Sequence, residues 1–225
     1  MKSILLFACI SVAVAAFSQD CTGYYFLQNN KTVEMSVFNK KGDISAKQVY
    51  TVSNVSSSGG STMGDLTSEM FDKKGKSIGK GASKMKCTGG IMMIDMKLSL
   101  PQQTTEQIGQ TDVKADNLYI EYPSSMKVGD ALKDANMDLD INGANGLKQS
   151  INMEIKERKV DAKEKITTPA GSWDCFKISF KGKMKIKTMG IGIPMNIDGT
   201  EWFAPGFGVV KTESKNGGTE ITSIK

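Results

Sequence analysis

The sequence predicts an all-β fold with minor α content, built as a large curved antiparallel sheet or an open or flattened β-barrel of meandering hairpins. Three observations carry this expectation. Apolar and polar residues alternate strictly in several runs, turn-forming residues separate those runs, and one strand-and-turn pattern occurs twice.

The alternation is clearest at Met137, Leu139 and Ile141, and again at Ile151, Met153 and Ile155. Met184 with Ile186 and Met195 with Ile197 repeat it over shorter spans. The intervening residues are Asp, Asn, Glu or Lys, so a strand sends one face to a core and the other to water, which a helix of 3.6-residue period cannot do. Asn142-Gly143-Ala144-Asn145-Gly146 and Lys215-Asn216-Gly217-Gly218 supply turn residues tolerant of positive φ, and Gly59-Gly60 marks a loop tip. The repeated pattern is Phe38-Asn39-Lys40-Lys41-Gly42 and, 33 residues on, Phe71-Asp72-Lys73-Lys74-Gly75. Each suits a type I turn whose glycine takes the left-handed position, so the echo reads as two similar hairpins and not as a solenoid. Two stretches interrupt the pattern: Pro101 to Gln110, a short helix or a loop, and Pro123 to Asp134, a connection anchored by Val128 and Leu132.

The first residues set the compartment. Lys2 precedes an apolar run from Ile4 to Phe17, then polar Ser18, Gln19 and Asp20. This reads as a cleavable signal peptide over residues 1–18, with small Ala16 and Ser18 where a signal peptidase needs them. The apolar run is too short to span a bilayer, and no transmembrane anchor is expected after cleavage. A lipoprotein signal would need a small residue before its cysteine, whereas Asp20 precedes Cys21. Residues 19–225 are expected to form a single exported β domain.

Of 29 basic and 24 acidic residues, only Lys2 leaves with the leader, so 28 against 24 gives a net charge of +4. The charges alternate in sign and form no basic stripe, which argues against a nucleic-acid partner. The chain has no histidine. That removes Ser-His-Asp and Cys-His catalysis, most zinc sites and the usual general base near neutral pH. No cofactor is called for, and an enzyme is not expected.

Several motifs dissolve on inspection. Asp138, Asp140, Asn142 and Gly143 open like an EF-hand calcium loop, but Gln149 stands where the bidentate carboxylate belongs and the flanks have strand period. Gly75-Lys76-Ser77 ends like a phosphate-binding loop, with Met70 in place of its first glycine. Gly190 and Gly192 read as turn glycines. Cys21, Cys87 and Cys175 remain after cleavage, enough for one disulfide and one free thiol, with three pairings open. The 13 methionines that remain when Met1 is set aside from 14 fall mostly on predicted strands. They are either ordinary core filler or the adaptable lining of an apolar cavity.

Thr167-Thr168-Pro169-Ala170-Gly171-Ser172-Trp173-Asp174-Cys175-Phe176-Lys177-Ile178 and Glu201-Trp202-Phe203-Ala204-Pro205-Gly206-Phe207-Gly208-Val209-Val210-Lys211 resemble the TapB-type family of exported bacterial proteins, close to a class of domains of unknown function. Cys21 with Tyr24-Tyr25-Phe26 and Val128-Gly129-Asp130 fit the same resemblance. It implies a curved antiparallel sheet or open barrel in the periplasm or on the surface of a Gram-negative cell, without established catalysis. Trp173, Trp202, Phe203 and Phe207 then either seal one end of the barrel or line the mouth of a cavity. Two functions follow as expectations: binding of a lipid or other apolar or amphipathic ligand in a β-enclosed cavity, or pairing with another envelope protein through a sheet edge or loop.

Overall fold

The computed structural model describes Cys21, residues 23–100, 118–142, 148–188 and 190–225. The leader over residues 1–18, the stretch from Pro101 to Gln110 and most of the Asn142-to-Gly146 turn lie outside the described residues.

Among the described residues, thirteen strands form one antiparallel sheet. They are β1 (Thr32–Asn39), β2 (Ile44–Ser58), β3 (Ser61–Asp72), β4 (Ser77–Thr88), β5 (Ile91–Asp95), β6 (Tyr119–Pro123), β7 (Ala135–Asn142), β8 (Lys148–Thr168), β9 (Gly171–Thr188), β10 (Ile191–Asn196), β11 (Gly199–Ala204), β12 (Gly208–Ser214) and β13 (Gly217–Ile224). Their spatial order is β6-β5-β4-β3-β2-β1-β13-β12-β11-β9-β8-β7, with β10 paired to the C-terminal end of β9, from Lys183 to Thr188. The first and last strands of the chain are neighbours, and the sheet curls into a nearly closed barrel, as the alternation predicts.

The alternating runs predicted as strands pair side by side. Met137 opposes Met153, Met153 opposes Met184, and Met184 opposes Met195, so one row of methionines crosses four strands. Leu139, Ile151 and Ile186 form the adjacent row. Such cross-strand pairs on one face are the unit of sheet stabilisation.

The two repeated turns match atom for atom. In each, the first side chain accepts a 2.8 Å bond two residues on, from Lys41 N to Asn39 Oδ1 and from Lys74 N to Asp72 Oδ1. Gly42 and Gly75 take φ of 82° and 79°. Gly59-Gly60 and Gly89-Gly90, all at positive φ, close the β2–β3 and β4–β5 hairpins. Between β6 and β7, Val128 is 56% exposed and anchors nothing; Met126 joins Leu132 in the core in its stead. The turn beginning at Pro123 and bonded from Met126 N to Pro123 O aims Met126 inward and leaves Val128 outside.

One end of the barrel is plugged by the N-terminal segment. Tyr25–Leu27 form a 3₁₀ turn, and Tyr25 N donates to Gly206 O at 2.9 Å. A disulfide joins Cys21 to Cys87 on β4, which chooses one of the three pairings left open and leaves Cys175 as a buried free thiol. Closing a loop of 66 residues restrains the unfolded chain by about 4 kcal/mol on the chain-entropy account.

Gly42 and Gly217 separate two reasons for glycine. Both have positive φ, but a Cβ at Gly42 meets open space, whereas one at Gly217 would lie 2.0 Å from Phe38 O across the β1–β13 ladder. Gly42→Ala is expected to cost about 1 kcal/mol and Gly217→Ala roughly 3 kcal/mol or more, read as shifts in urea midpoint; equal costs would refute the difference.

Candidate functional site

The barrel interior is not filled. A cavity of about 500 Å³ runs from Phe26, near the plugged end, to the opposite rim at Ser214 and Asn216. Its walls are mainly apolar and include Met35, Met70, Met85 and Met184. The size lies within the usual range for small-molecule sites. The space meets solvent at that rim, so it is an open cleft and not a sealed packing void.

The methionines divide between the two roles the sequence left open. Met92, Met96, Met137 and Met153 are fully buried in packed regions, whereas Met35, Met70, Met85 and Met184 face the cavity. Met63 and Met195 are exposed.

None of the four aromatics from the family segments lines the cavity. Phe207 stacks on Tyr25 at 5.2 Å and meets Phe26 at 5.4 Å and Trp173 at 5.6 Å, sealing the plugged end. Phe203, fully buried, stacks face to face on Tyr122 at 4.4 Å. Trp202 points to the outer face, where Nε1 donates to Glu164 Oε1 at 2.6 Å. The ammonium groups of Lys211 and Lys177 lie 5.1 and 5.6 Å from its ring. These stems keep Trp202 covered on the outside of the barrel.

The residues that organise the interior are others. Arg158 is the single arginine among 29 basic residues, and its side chain is fully buried. Its Nη1 donates to Glu121 O at 3.0 Å and Lys133 O at 3.1 Å; Nη2 reaches Glu201 Oε1 at 3.4 Å. Tyr122 Oη donates to Glu201 Oε2 at 2.9 Å, and the guanidinium lies 4.8 Å from the Tyr122 ring. Burial raises the Glu201 carboxyl above its ordinary range, opposed by Arg158. Glu201 and Tyr122 face the cavity. At the start of the 3₁₀ turn Met96–Ser99 that follows β5, Asp95 accepts from Lys97 N at 2.9 Å and pairs with Lys97 Nζ at 3.2 Å; burial raises its carboxyl as well.

Alternation alone hides this cluster. Ile151, Met153 and Ile155 put odd positions of β8 inside, which would bury Glu157 and expose Arg158. A bulge between Lys156 and Lys159, with Glu157 at φ 51°, shifts the phase by one residue and reverses both. The signal present in the sequence is compositional: one arginine against 28 lysines marks a position where ammonium does not substitute.

The calcium-loop-like motif is described only in part, since Gly143 lies outside the described residues. Asp138 accepts from Asn152 Nδ2 at 2.7 Å on the outer face, and no metal-ligating group of three or more residues is present among the described residues. Burial, with Asp174 and Glu164 nearby, pushes the Cys175 thiol up to about 12, so it is not a nucleophile near neutral pH.

Arg158→Met is expected to cost about 3–5 kcal/mol, because it strands the Glu201 carboxylate and two carbonyls. Arg158→Met/Glu201→Leu should recover part of that loss. Since the buried carboxyl titrates above its unfolded value of 4.5, the single variant should lose stability relative to the wild type as pH rises through that window. Urea denaturation at pH 5 and 8 checks this; a pH-independent difference would refute it.

Comparison with known proteins places the chain. The profile of the DUF3108-like family, whose function is unknown, matches residues 28–225. A Bacteroides fragilis protein provisionally described as exported, with a YmcC-like fold, superposes with a TM-score of 0.68 at 22% identity, over 88% of this chain and 96% of its own. A Parabacteroides distasonis protein provisionally described as a lipoprotein gives 0.70 at 21% identity, over 89% and 98%. No curated protein matches the chain at a significant level. At these identities the structural likeness establishes the fold.

Proposed function

The chain belongs to the DUF3108-like family, and from that premise we propose that it is a non-catalytic envelope protein that binds an apolar or amphipathic ligand inside its barrel. The observation that carries this reading is the cavity of about 500 Å³, walled mainly by apolar side chains and open at one rim. Methionine suits such a wall because its unbranched, polarizable side chain adapts to an irregular apolar shape. The histidine-free composition and the inert Cys175 thiol favour binding over chemistry.

Export supports the same setting. The leader, the Cys21–Cys87 disulfide and the descriptions of the two structural neighbours favour an oxidising compartment, the periplasm or the cell surface. Cys21 is engaged in the disulfide, which disfavours lipidation at that residue. The resemblance to TapB-type proteins is compatible with this placement.

Native mass spectrometry of protein purified from its own host should show a co-purifying apolar or amphipathic molecule. Met70→Trp, which narrows the cavity, should reduce its occupancy severalfold. Apo protein that also fails to take up an uncharged fluorescent reporter would overturn the reading.

A second reading, pairing with another envelope protein, draws support from β10. Ile191 and Ile193 are 75% and 67% exposed on this edge strand, while Lys185 and Lys187 cross its other face over Gly192. Photocrosslinking in cells from position 193 should then capture one reproducible partner; its absence would count against pairing.

A further inference from the structure

The lysine turns that occur twice in the sequence meet at one end of the barrel. Antiparallel pairing sets Phe180, Gly199, Ser214, Gly217 and Asn39 in one row across β9, β11, β12, β13 and β1. That row ends at the β1–β2 turn, and the β3–β4 turn follows two strands on, so the β12–β13, β1–β2 and β3–β4 turns stand together on six consecutive strands. The cavity opens beside them, where Phe38, Ser214, Asn216 and Gly217 line its rim.

These turns carry Lys40, Lys41, Lys73, Lys74, Lys76 and Lys215, all exposed, and among the described residues no ion pair engages any of the six. The carboxylates of the same turns are fewer and already engaged. Asp72 Oδ1 accepts from Lys74 N and Lys76 N at 2.8 and 2.9 Å, Asp43 Oδ2 accepts from Asn39 Nδ2 at 3.3 Å, and Glu213 pairs with Lys211 at 2.8 Å. Folding thus gathers a basic rim that no continuous run of the sequence shows. Apolar side chains are interleaved with this charge: Phe38 and Phe71 precede the repeated turns half-buried, and Ile44 and Ile78 follow them, 51% and 43% exposed.

We propose that this rim docks the protein on an anionic phospholipid surface, with the cavity mouth turned toward the bilayer. The lysines meet lipid phosphates while the two isoleucines enter the interfacial layer, and apolar area together with positive charge is what holds a protein at a charged membrane. A nucleic-acid backbone would answer the lysines and leave the isoleucines in water. The docking rests on the rim alone. The reading of the cavity as a ligand site gives it a use, because an apolar ligand then passes between bilayer and barrel without crossing water.

The test is sedimentation of the full mature protein with vesicles of phosphatidylcholine alone or of an equimolar mixture with phosphatidylglycerol. Binding should be at least about tenfold tighter to the mixed vesicles and should weaken as salt rises. Lys40→Ser/Lys41→Ser/Lys74→Ser should lose at least about tenfold, whereas Lys159→Ser/Lys163→Ser/Lys165→Ser, which removes the same charge from β8, should stay within about threefold. Ile44→Ser/Ile78→Ser should weaken binding at least about threefold with the charge unchanged. Equal binding to both vesicle types, or equal losses in the two lysine variants, would overturn the docking. Capture of a nucleic acid or a protein at the rim without vesicle binding would overturn it too. Reporter uptake in the absence of vesicles reads the cavity alone, so uptake that persists where vesicle binding fails overturns this inference and spares the ligand reading.

Discussion

The barrel depends on one buried cation. Strands β6 and β7 end the sheet on either side of a seam, and the seam is bridged by the connection between them and by the bulged centre of β8. Arg158 sits at that bulge and holds carbonyls from β6 and from the connection together, while Glu201 on β11 balances its charge from across the interior. A guanidinium suits this position because it stays charged when buried and presents several donors in a fixed plane. Desolvating it is expensive, so its value lies in fixing one closed arrangement of the strands and less in net stability.

That closure leaves the interior hollow. The aromatic plug formed by Tyr25, Phe26, Phe207 and Trp173 seals one end, with the disulfide from Cys21 to Cys87 holding the N-terminal segment against β4. Tyr122 and Phe203 pack as a stacked pair beside the Arg158–Glu201 ion pair. Between these groups and the opposite rim the walls do not meet, because a twelve-strand path encloses more space than its inward side chains fill. Among the described residues, several lysines stand on the outside of the sheet along β9, at positions 181, 183, 185 and 187.

Much of the fold was legible because its signals are local. The methionine row across β7, β8, β9 and β10 follows from alternation within each strand, and the paired turns at Asn39 and Asp72 follow from side chains that cap their own backbone two residues on. The site was much less legible. Trp202, drawn from the family segments as a sealing or mouth residue, lies on the outer face under lysine stems, and Val128, read as an anchor, is exposed. A hydrophobic side chain says that burial is favourable, but not which surface will cover it.

The sequence by itself determined strand-forming segments, their turns, the absence of histidine chemistry and the presence of enough cysteines for one disulfide. These properties are written in residue type and short-range spacing. Only the tertiary structure decided that Cys21 pairs with Cys87, that Arg158 and Glu157 exchange faces, and that the methionines divide between packed core and open cavity. Each of those outcomes depends on a register or bulge that brings distant strands together, and a shift of one residue reverses which side chains face inward.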